Sequence, residues 1–454
     1  MSAVGNNKNL IFKVAPSACL KGCIRVPGDK SISHRAIMFG ALADGVTEIT
    51  GFLEGDDSLA TLNAFRSMGV QIDGPDNGRV TVHGVGIDGL CAPKAALDLG
   101  NSGTSMRLLA GLLAGQSFDV TMKGDVSLST RPMRRVADPL KLMGAQIETE
   151  SDGTPPLKII GGHSLHGIEY DMPMASAQVK SSLLLAGLYA EGTTSVSEPA
   201  PTRDHTERML GGFGYAVQRE GNRVSITGGG RLRASPIDVP ADISSAAFFL
   251  VAASIAEGSE LTLEHVGMNP TRTGVINILR LMGAHIDVNN ERLVGGEPVA
   301  DVYVKSAPLH GIDIPEDQVP LAIDEFPALF IAAACAKGRT CLSGAEELRV
   351  KESDRIQVMA DGLIELGVKA TPTVDGMIIE GGGAINGGVV ESHGDHRIAM
   401  AFAMAALRAN SVIEIKNCAN VATSFPSFVE LTRSIGLKIE ASEVVGSASV
   451  GAGQ

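Results

Sequence analysis

The chain of 454 residues is long enough for two or three domains, and 44% hydrophobic against 20% charged residues is the balance of a soluble globular protein. A net charge of −13, 4% aromatic residues and no tryptophan argue against a nucleic-acid partner or an acidic membrane surface, so an anionic ligand must be small and held by a local basic cluster. The six cysteines form no CxxC pair, no signal or transit segment leads the chain, and no apolar run reaches the roughly 18 residues that span a bilayer, so we expect a cytoplasmic protein with reduced thiols and no metal.

The first apolar segment, NLIFKVAP, reads as a strand that precedes a seam and is expected to belong with the second of two domains. The seam itself is VPGDKSISHR. There Pro27 and Gly28 break the backbone just before Lys30, Ser31 and Arg35, which predicts a loop feeding a helix N-terminus. Exposed N–H groups with two cations and a hydroxyl make such an end an anion site. It is not a P-loop, because Asp29 separates Gly28 from Lys30. Taken alone, the stretch reads equally as a capped surface helix.

Further along, one signature recurs six times: an amphipathic helix end, a glycine and an alternating strand. The copies are FRSMGVQID, LKLMGAQIE, MLGGFGYAVQ, LRLMGAHIDV, LIELGVKAT and TRSIGLKIE, with glycines at 69, 144, 214, 283, 367 and 436. Glycine at a helix C-terminus followed by period-two alternation is a helix stop and strand start. Roughly 40 residues before each lies a polar loop and a helix of small residues, apolar nearly all round, such as GNSGTSMRLLAGLLAG and ADISSAAFFLVAASIAEG. Helices of that kind are buried, so their N-termini can converge on one point. The seams VPGDKS and VPADIS make Pro27 and Pro240 candidate crossovers. We therefore expect one domain over 25–239 and a second formed by 1–24 with 240–440, a cleft between them, and a disordered tail over 441–454.

Charged residues gather at these helix starts or in short polar loops: Lys30, Arg35, Arg131, Arg203, Asp324, Lys351, Glu352, Arg355 and Arg397. Lys351 and Arg355 stand at i and i+4, on one helical face. Each residue alone has a plainer reading, KESDR as a solvated turn and Asp324 as an N-cap. Recurrence at equivalent places of a repeat favours one joint site. The histidines of SHGDHR and those at 163 and 166 lack HExxH spacing and read as structural or surface residues.

The combination GDKSISHR, GNSGTSMR, RPM, SAQVK, TRDHTE, NPTR, IDEFP, LRVKESDR and DHRIAM, spread over about residues 21–440, resembles the 5-enolpyruvylshikimate-3-phosphate synthases, and SAQVK with RDHTE and NPTR is similar to the branch often called class II. The resemblance implies a two-domain inverted α/β barrel, each domain three βαβαββ repeats around buried helices, closing over substrate. It implies transfer of the enolpyruvyl group of phosphoenolpyruvate to the 5-hydroxyl of shikimate 3-phosphate, with release of phosphate, in the shikimate pathway of aromatic amino-acid biosynthesis. Glyphosate competes with phosphoenolpyruvate in this family. No metal or organic cofactor is implied, and we expect a monomer.

By the same resemblance, Ser31, Arg35, Ser176, Ala177, Gln178, Arg203, Asp324 and Lys351 contact shikimate 3-phosphate, and Lys30, Gly103, Arg131, Arg355 and Arg397 hold phosphoenolpyruvate. Asp324 is the expected base for the hydroxyl, and Glu352 and Lys30 the expected proton donors to the methylene carbon. In one place the chain departs from the better-known branch: VATSFPSF has Thr423 where a lysine touches phosphoenolpyruvate, so no role is carried there. The related cell-wall transferase acting on UDP-N-acetylglucosamine has a reactive cysteine in the loop before RP, and GDVSLSTRP has none. A non-catalytic repeat scaffold would want exposed binding faces, not polar helix starts carrying Lys and Arg.

Overall fold

The six repeated glycines all take left-handed backbone, with φ of 90, 101, 77, 95, 81 and 113° at Gly69, Gly144, Gly214, Gly283, Gly367 and Gly436. A side chain at these positions would be strained, so each glycine ends a helix and turns the chain into a strand. The computed structural model describes residues 10–443. Among these there are twelve α-helices: α1 (Lys30–Leu42), α2 (Asp56–Ser67), α3 (Gly103–Ala114), α4 (Arg134–Leu142), α5 (Ala177–Gly187), α6 (His205–Gly212), α7 (Ile243–Ile255), α8 (Gly274–Leu281), α9 (Phe326–Cys335), α10 (Arg355–Glu365), α11 (His396–Ala405) and α12 (Phe428–Ser434).

The odd-numbered helices are the small-residue ones and lie inside; every residue of α7 is buried. Their side chains let backbones approach closely. At Gly111 of α3 a Cβ would stand 1.9 Å from the Ser182 carbonyl oxygen of α5, so only glycine permits that packing. Within the first half α3 packs on α5, and within the second α9 packs on both α7 and α11.

Each repeat has its own sheet. In the second repeat the order is Leu97–Asp98, Val120–Lys123, Leu157–Ile160 and Gln146–Glu148, the first pair parallel and the others antiparallel. The pattern closes on itself through borrowed strands. In the first repeat, Leu232–Arg233 and Ile237–Asp238 run parallel to Ala43–Thr50. In the fourth, Lys21–Ile24 runs parallel to Glu260–Gly267. In the sixth, Leu10–Ala15 lies between Ile413–Lys416 and Lys438–Glu443, with Phe12 opposite both Ile415 and Ala441. The fifth repeat is reduced: its sheet has three strands, and its lead strand survives as the bridges His310 to Lys337 and Asp313 to Cys341. Residues 441–443, expected to be disordered, instead continue the last strand, because Leu10 to Phe12 supply partners for their backbone groups. Residues 444–454 of that expected tail lie outside the described residues.

One hydrophobic core runs from Ile32 to Val239, and another joins Phe12 to Val26 with Ala241 to Ile439. The chain passes between them twice, and the two crossings are bonded together. The Asp29 amide donates to the Pro240 carbonyl at 2.7 Å, and the Asp242 amide to that of Pro27 at 2.9 Å. Asp29 and Asp242 are also the N-caps of α1 and α7. Arg272, from NPTR, ties both carboxylates: its guanidinium pairs with Asp29, reaches Asp242 at 2.9 Å and donates to the Ser244 hydroxyl at 2.5 Å. Burial raises the Asp29 pKa, but Arg272, His205, the Ile32 amide and Arg203 together outweigh it and bring the group down to about 2.

A carboxyl whose folded pKa is depressed contributes stability that is present above its unfolded value, near 4, and is lost as pH falls through the folded one. The urea midpoint should therefore hold steady from pH 7 to about 5 and fall between about 4 and 2. Asp29→Asn should make that fall shallower; a midpoint curve of unchanged steepness would show that Asp29 is not part of it. Among the described residues no helix is long and apolar enough to cross a membrane.

Candidate active site

The buried helices deliver their N-terminal turns to the junction of the two halves. Lys30 is the first residue of α1, Gly103 of α3 and Ala177 of α5, while Arg397 is the second of α11. Side-chain caps fix these turns: Asp29 accepts from the Ile32 amide, Ser102 from Ser105, Ser176 from Val179 and Asp395 from Arg397. Asp324 lies two residues before α9, with Glu325 at the cap position and no side-chain cap bond, so it is free of the plain capping role.

Asp324 is where the cations of both halves meet. Arg203 from the first half pairs with its Oδ2, and from the second half Arg355 stands 3.1 Å and Lys351 3.5 Å from its Oδ1. Arg397 donates to its backbone carbonyl at 3.1 Å. Burial would raise the Asp324 pKa; Lys351, then Arg203, Arg397 and Arg355, reverse that and hold it well below the usual carboxylate range. Lys351 and Arg355 do not share a helical face. Lys351 ends the short 3₁₀ turn Glu346–Val350, and Arg355 opens α10 behind its own cap, Asp354. Their common carboxylate brings them together.

A second cluster surrounds Gly103. A Cβ there would lie 3.1 Å from Arg107 Nη1 and 3.2 Å from Arg131 Nη1, so two guanidiniums flank the space that glycine leaves open. Arg131 is aimed by Asn101, whose side-chain oxygen accepts from it at 2.7 Å. Arg107 donates to the Gln178 amide oxygen at 2.6 Å, and Gln178 donates to Thr104 at 3.0 Å. Burial, with Arg135 and Arg131 nearby, lowers the Arg107 pKa to about 9. Its Nε is buried without a hydrogen-bond partner, as is that of Arg135. Like charges crowded this way are what an anion would relieve.

Glu352 feels Arg355 of the first cluster and Arg131 of the second, and Lys30 lies near enough to act on it as well. The Lys30 ammonium donates to Asp57 of α2 at 2.8 Å. Glu352 pairs with Arg355 at 2.5 Å. Burial would raise the Glu352 pKa, but Arg355, His396, Arg131 and Lys30 hold it well below the usual range, so it is ionised at neutral pH.

The residues singled out from the sequence do not all present free groups. Arg35 is buried behind the site, donating to Thr206 at 2.7 Å, Ser181 at 2.9 Å and the Ser31 carbonyl at 2.9 Å. Ser31, Ser176 and Ala177 lie at helix starts and are partly exposed. Thr423 donates to the Asn420 carbonyl at 2.7 Å and brings no charge. Sequence reasoning gave no role to Asp57, Arg107, Arg272 or Asp395, although the last three lie in quoted motifs. Asp395 binds Arg355 at 2.8 Å. The available signal was position: Arg107 follows Gly103 by one helical turn, and Asp395 caps a buried helix as Asp29 and Asp242 do.

Residues 14–431 match the family model described as EPSP synthase (3-phosphoshikimate 1-carboxyvinyltransferase). A protein named 3-phosphoshikimate 1-carboxyvinyltransferase from Alkalilimnicola ehrlichii is 70% identical over 437 residues, covering 96% of this chain and 98% of that one. Its namesake from Nitrosococcus oceani is 68% identical over 430 residues, covering 95% and 97%. The solved EPSP synthase of Acinetobacter baumannii superposes with a TM-score of 0.88 at 63% identity, covering 96% of this chain and 100% of that one. An enolpyruvyl transferase, NikO of Streptomyces tendae, shares the fold at 16% identity with a TM-score of 0.77, covering 96% and 99%.

Proposed function

Because the chain belongs to the EPSP synthase family, we propose that the Asp324 and Gly103 clusters are the two halves of one site for its two anionic substrates. The reaction is transfer of the enolpyruvyl group of phosphoenolpyruvate to the 5-hydroxyl of shikimate 3-phosphate, with release of phosphate. The observation that carries the site assignment is the convergence of buried and half-buried cations from both halves. Arg203, Lys351, Arg355 and Arg397 gather on Asp324, and the Arg107 and Arg131 guanidiniums close on Gly103 at the N-terminus of α3. Charge-assisted contacts of this kind contribute about 1.5 to 3 kcal/mol each.

In this reading the shikimate hydroxyl lies against Asp324, with Ser176, Ala177, Gln178, Ser31, Arg203 and Lys351 around the shikimate phosphate and ring. Arg35 acts from behind by orienting Ser31 and Ser181. Phosphoenolpyruvate lies between Lys30, Gly103 and Arg131 on one side and Arg355 and Arg397 on the other. When substrate anions take up the cations around Asp324, its carboxylate regains basicity and accepts the hydroxyl proton. Lys30 gives a proton to the methylene carbon, C2 becomes electrophilic and the oxygen attacks it. Glu352, ionised beside the site, stabilises the positive charge developing at C2 and relays a proton rather than starting with one. Collapse of the tetrahedral intermediate breaks the C2–O bond to phosphate, and a methyl proton returns to the protein as the enol ether forms.

We also propose that the protein acts in the cytoplasm, a reading supported by six cysteines that are all free thiols, and that it acts as a monomer, for which sedimentation velocity should show a single species of 47.1 kDa. Phosphate release from phosphoenolpyruvate, measured with shikimate 3-phosphate and with UDP-N-acetylglucosamine in parallel, tests the acceptor. Turnover is expected with the first alone.

Gly103 offers a finer test of the phosphoenolpyruvate side. A methyl group there would push against Arg107 and Arg131, the two guanidiniums assigned to the phosphoenolpyruvate side, and overpacking a tight site costs about 1 to 3 kcal/mol. Glyphosate is longer than phosphoenolpyruvate. Gly103→Ala should therefore raise the glyphosate inhibition constant by a larger factor than the KM for phosphoenolpyruvate. Equal factors would show that the space does not discriminate.

A further inference from the structure

Four fully buried polar side chains run in a line behind the site: His34 of α1, Thr61 of α2, Ser105 of α3 and its cap Ser102. His34 Nδ1 is 2.7 Å from Thr61 Oγ1, Thr61 Oγ1 2.7 Å from Ser105 Oγ, and Ser105 Oγ 2.6 Å from Ser102 Oγ. The Ser102 oxygen also accepts the Ser105 amide at 3.2 Å, which starts α3. Burial pushes the His34 pKa down to about 3, so its ring is neutral and offers one donor and one acceptor. Each hydroxyl can then donate to one neighbour and accept from the other along the line. Buried polar groups cost stability unless paired, and alanine, valine or leucine would fill these positions. Here the three hydroxyls and His34 Nδ1 are paired while His34 Nε2 has no partner, and a hydrogen-bonded line fixes relative placement in a way an apolar contact does not.

What it places is functional on both sides. Thr61 lies one turn beyond Asp57 on α2, and Asp57 holds the Lys30 ammonium. Ser105 and Ser102 bracket Gly103, and Arg107 follows within the next turn of α3. We propose that the His34–Thr61–Ser105–Ser102 chain is a positioning device for phosphoenolpyruvate, setting α2 between α1 and α3 so that Lys30 and the Gly103–Arg107 turn face the same ligand. This rests on the assignment of those groups to phosphoenolpyruvate. Thr61 touches no substrate; it acts through Asp57 and Ser105.

Thr61→Val keeps the shape of the side chain and removes the hydroxyl. The KM for phosphoenolpyruvate should rise about fivefold or more while that for shikimate 3-phosphate changes by less than about twofold, with Thr61→Ser restoring both. Should Thr61→Val not fold, Ser105→Ala breaks the same chain at a helical position suited to alanine, and the same split is expected. A lower Tm with both KM values unmoved, or both raised equally, would overturn the proposal. Arg107→Gln separates the two levels of inference. If it leaves the KM for phosphoenolpyruvate unchanged, the site assignment fails; if it raises that KM while the Thr61 and Ser105 variants do not, the positioning role fails.

Discussion

Asp324→Asn should bind shikimate 3-phosphate at least as well as the parent and lose roughly 10² to 10⁴ in kcat, the usual cost of removing a general base. The substitution is nearly isosteric, so the pocket keeps its shape. It removes the one negative charge that Arg203, Lys351 and Arg355 share, which leaves those cations freer to hold an anionic substrate. Binding and turnover should therefore separate, and single-turnover kinetics with a calorimetric binding measurement would show it. A kcat within about twofold of the parent would take Asp324 out of the proton transfer. The pH profile follows from the same geometry. A base must be ionised to act, and this one is held well below the usual range in the free protein. The acid limb of kcat/KM assigned to it should then lie below about pH 4, the unperturbed carboxylate range.

Arg272→Met should lower the free energy of unfolding by about 3 to 5 kcal/mol, the range for removing one partner of a buried ion pair. Arg272 is 3% exposed and sits among Asp29, Asp242 and Glu325. Without it, three carboxylates face one another in a dry interface, two of them caps of the helices on either side of the crossings. Urea unfolding at pH 7 is the measurement. Adding Asp29→Asn to Arg272→Met should restore part of the loss, since it removes one of the stranded charges. A loss under about 1 kcal/mol would mean the cluster behaves as solvated surface pairs do.

The repeat was legible because its signals are local. A glycine that must adopt positive φ, a period-two strand and an all-apolar helix are each written within a dozen residues, and six copies reinforce one another. The helix starts carrying Lys30, Gly103, Ser176 and Arg397 could be read for the same reason. Partnerships could not. Nothing near Lys30 in the chain announces that Asp57 will hold it, and Lys351 and Arg355 looked like a helical pair because spacing was the available measure. Arg35 illustrates the reverse: a cation in the right motif spends its donors on Thr206, Ser181 and the Ser31 carbonyl. Ionisation was hidden as well. Glu352 reads as an acid in the sequence, but three-dimensional neighbours keep it an anion.

The strand Leu10–Ala15 imposes an order on synthesis. The stretch from Ile32 to Val239 is continuous and can condense as it emerges from the ribosome. The last sheet of the other half must wait, because its inner strand Leu10–Ala15 precedes the whole first half in the chain while both of that strand's neighbours, Ile413–Lys416 and Lys438–Glu443, follow it. For most of translation the segment LIFKVA therefore waits without its ladder partners. That is the interval in which edge pairing with another nascent chain competes with completion, and a holdase chaperone would be expected to act on Leu10–Ala15 rather than on Lys438–Glu443.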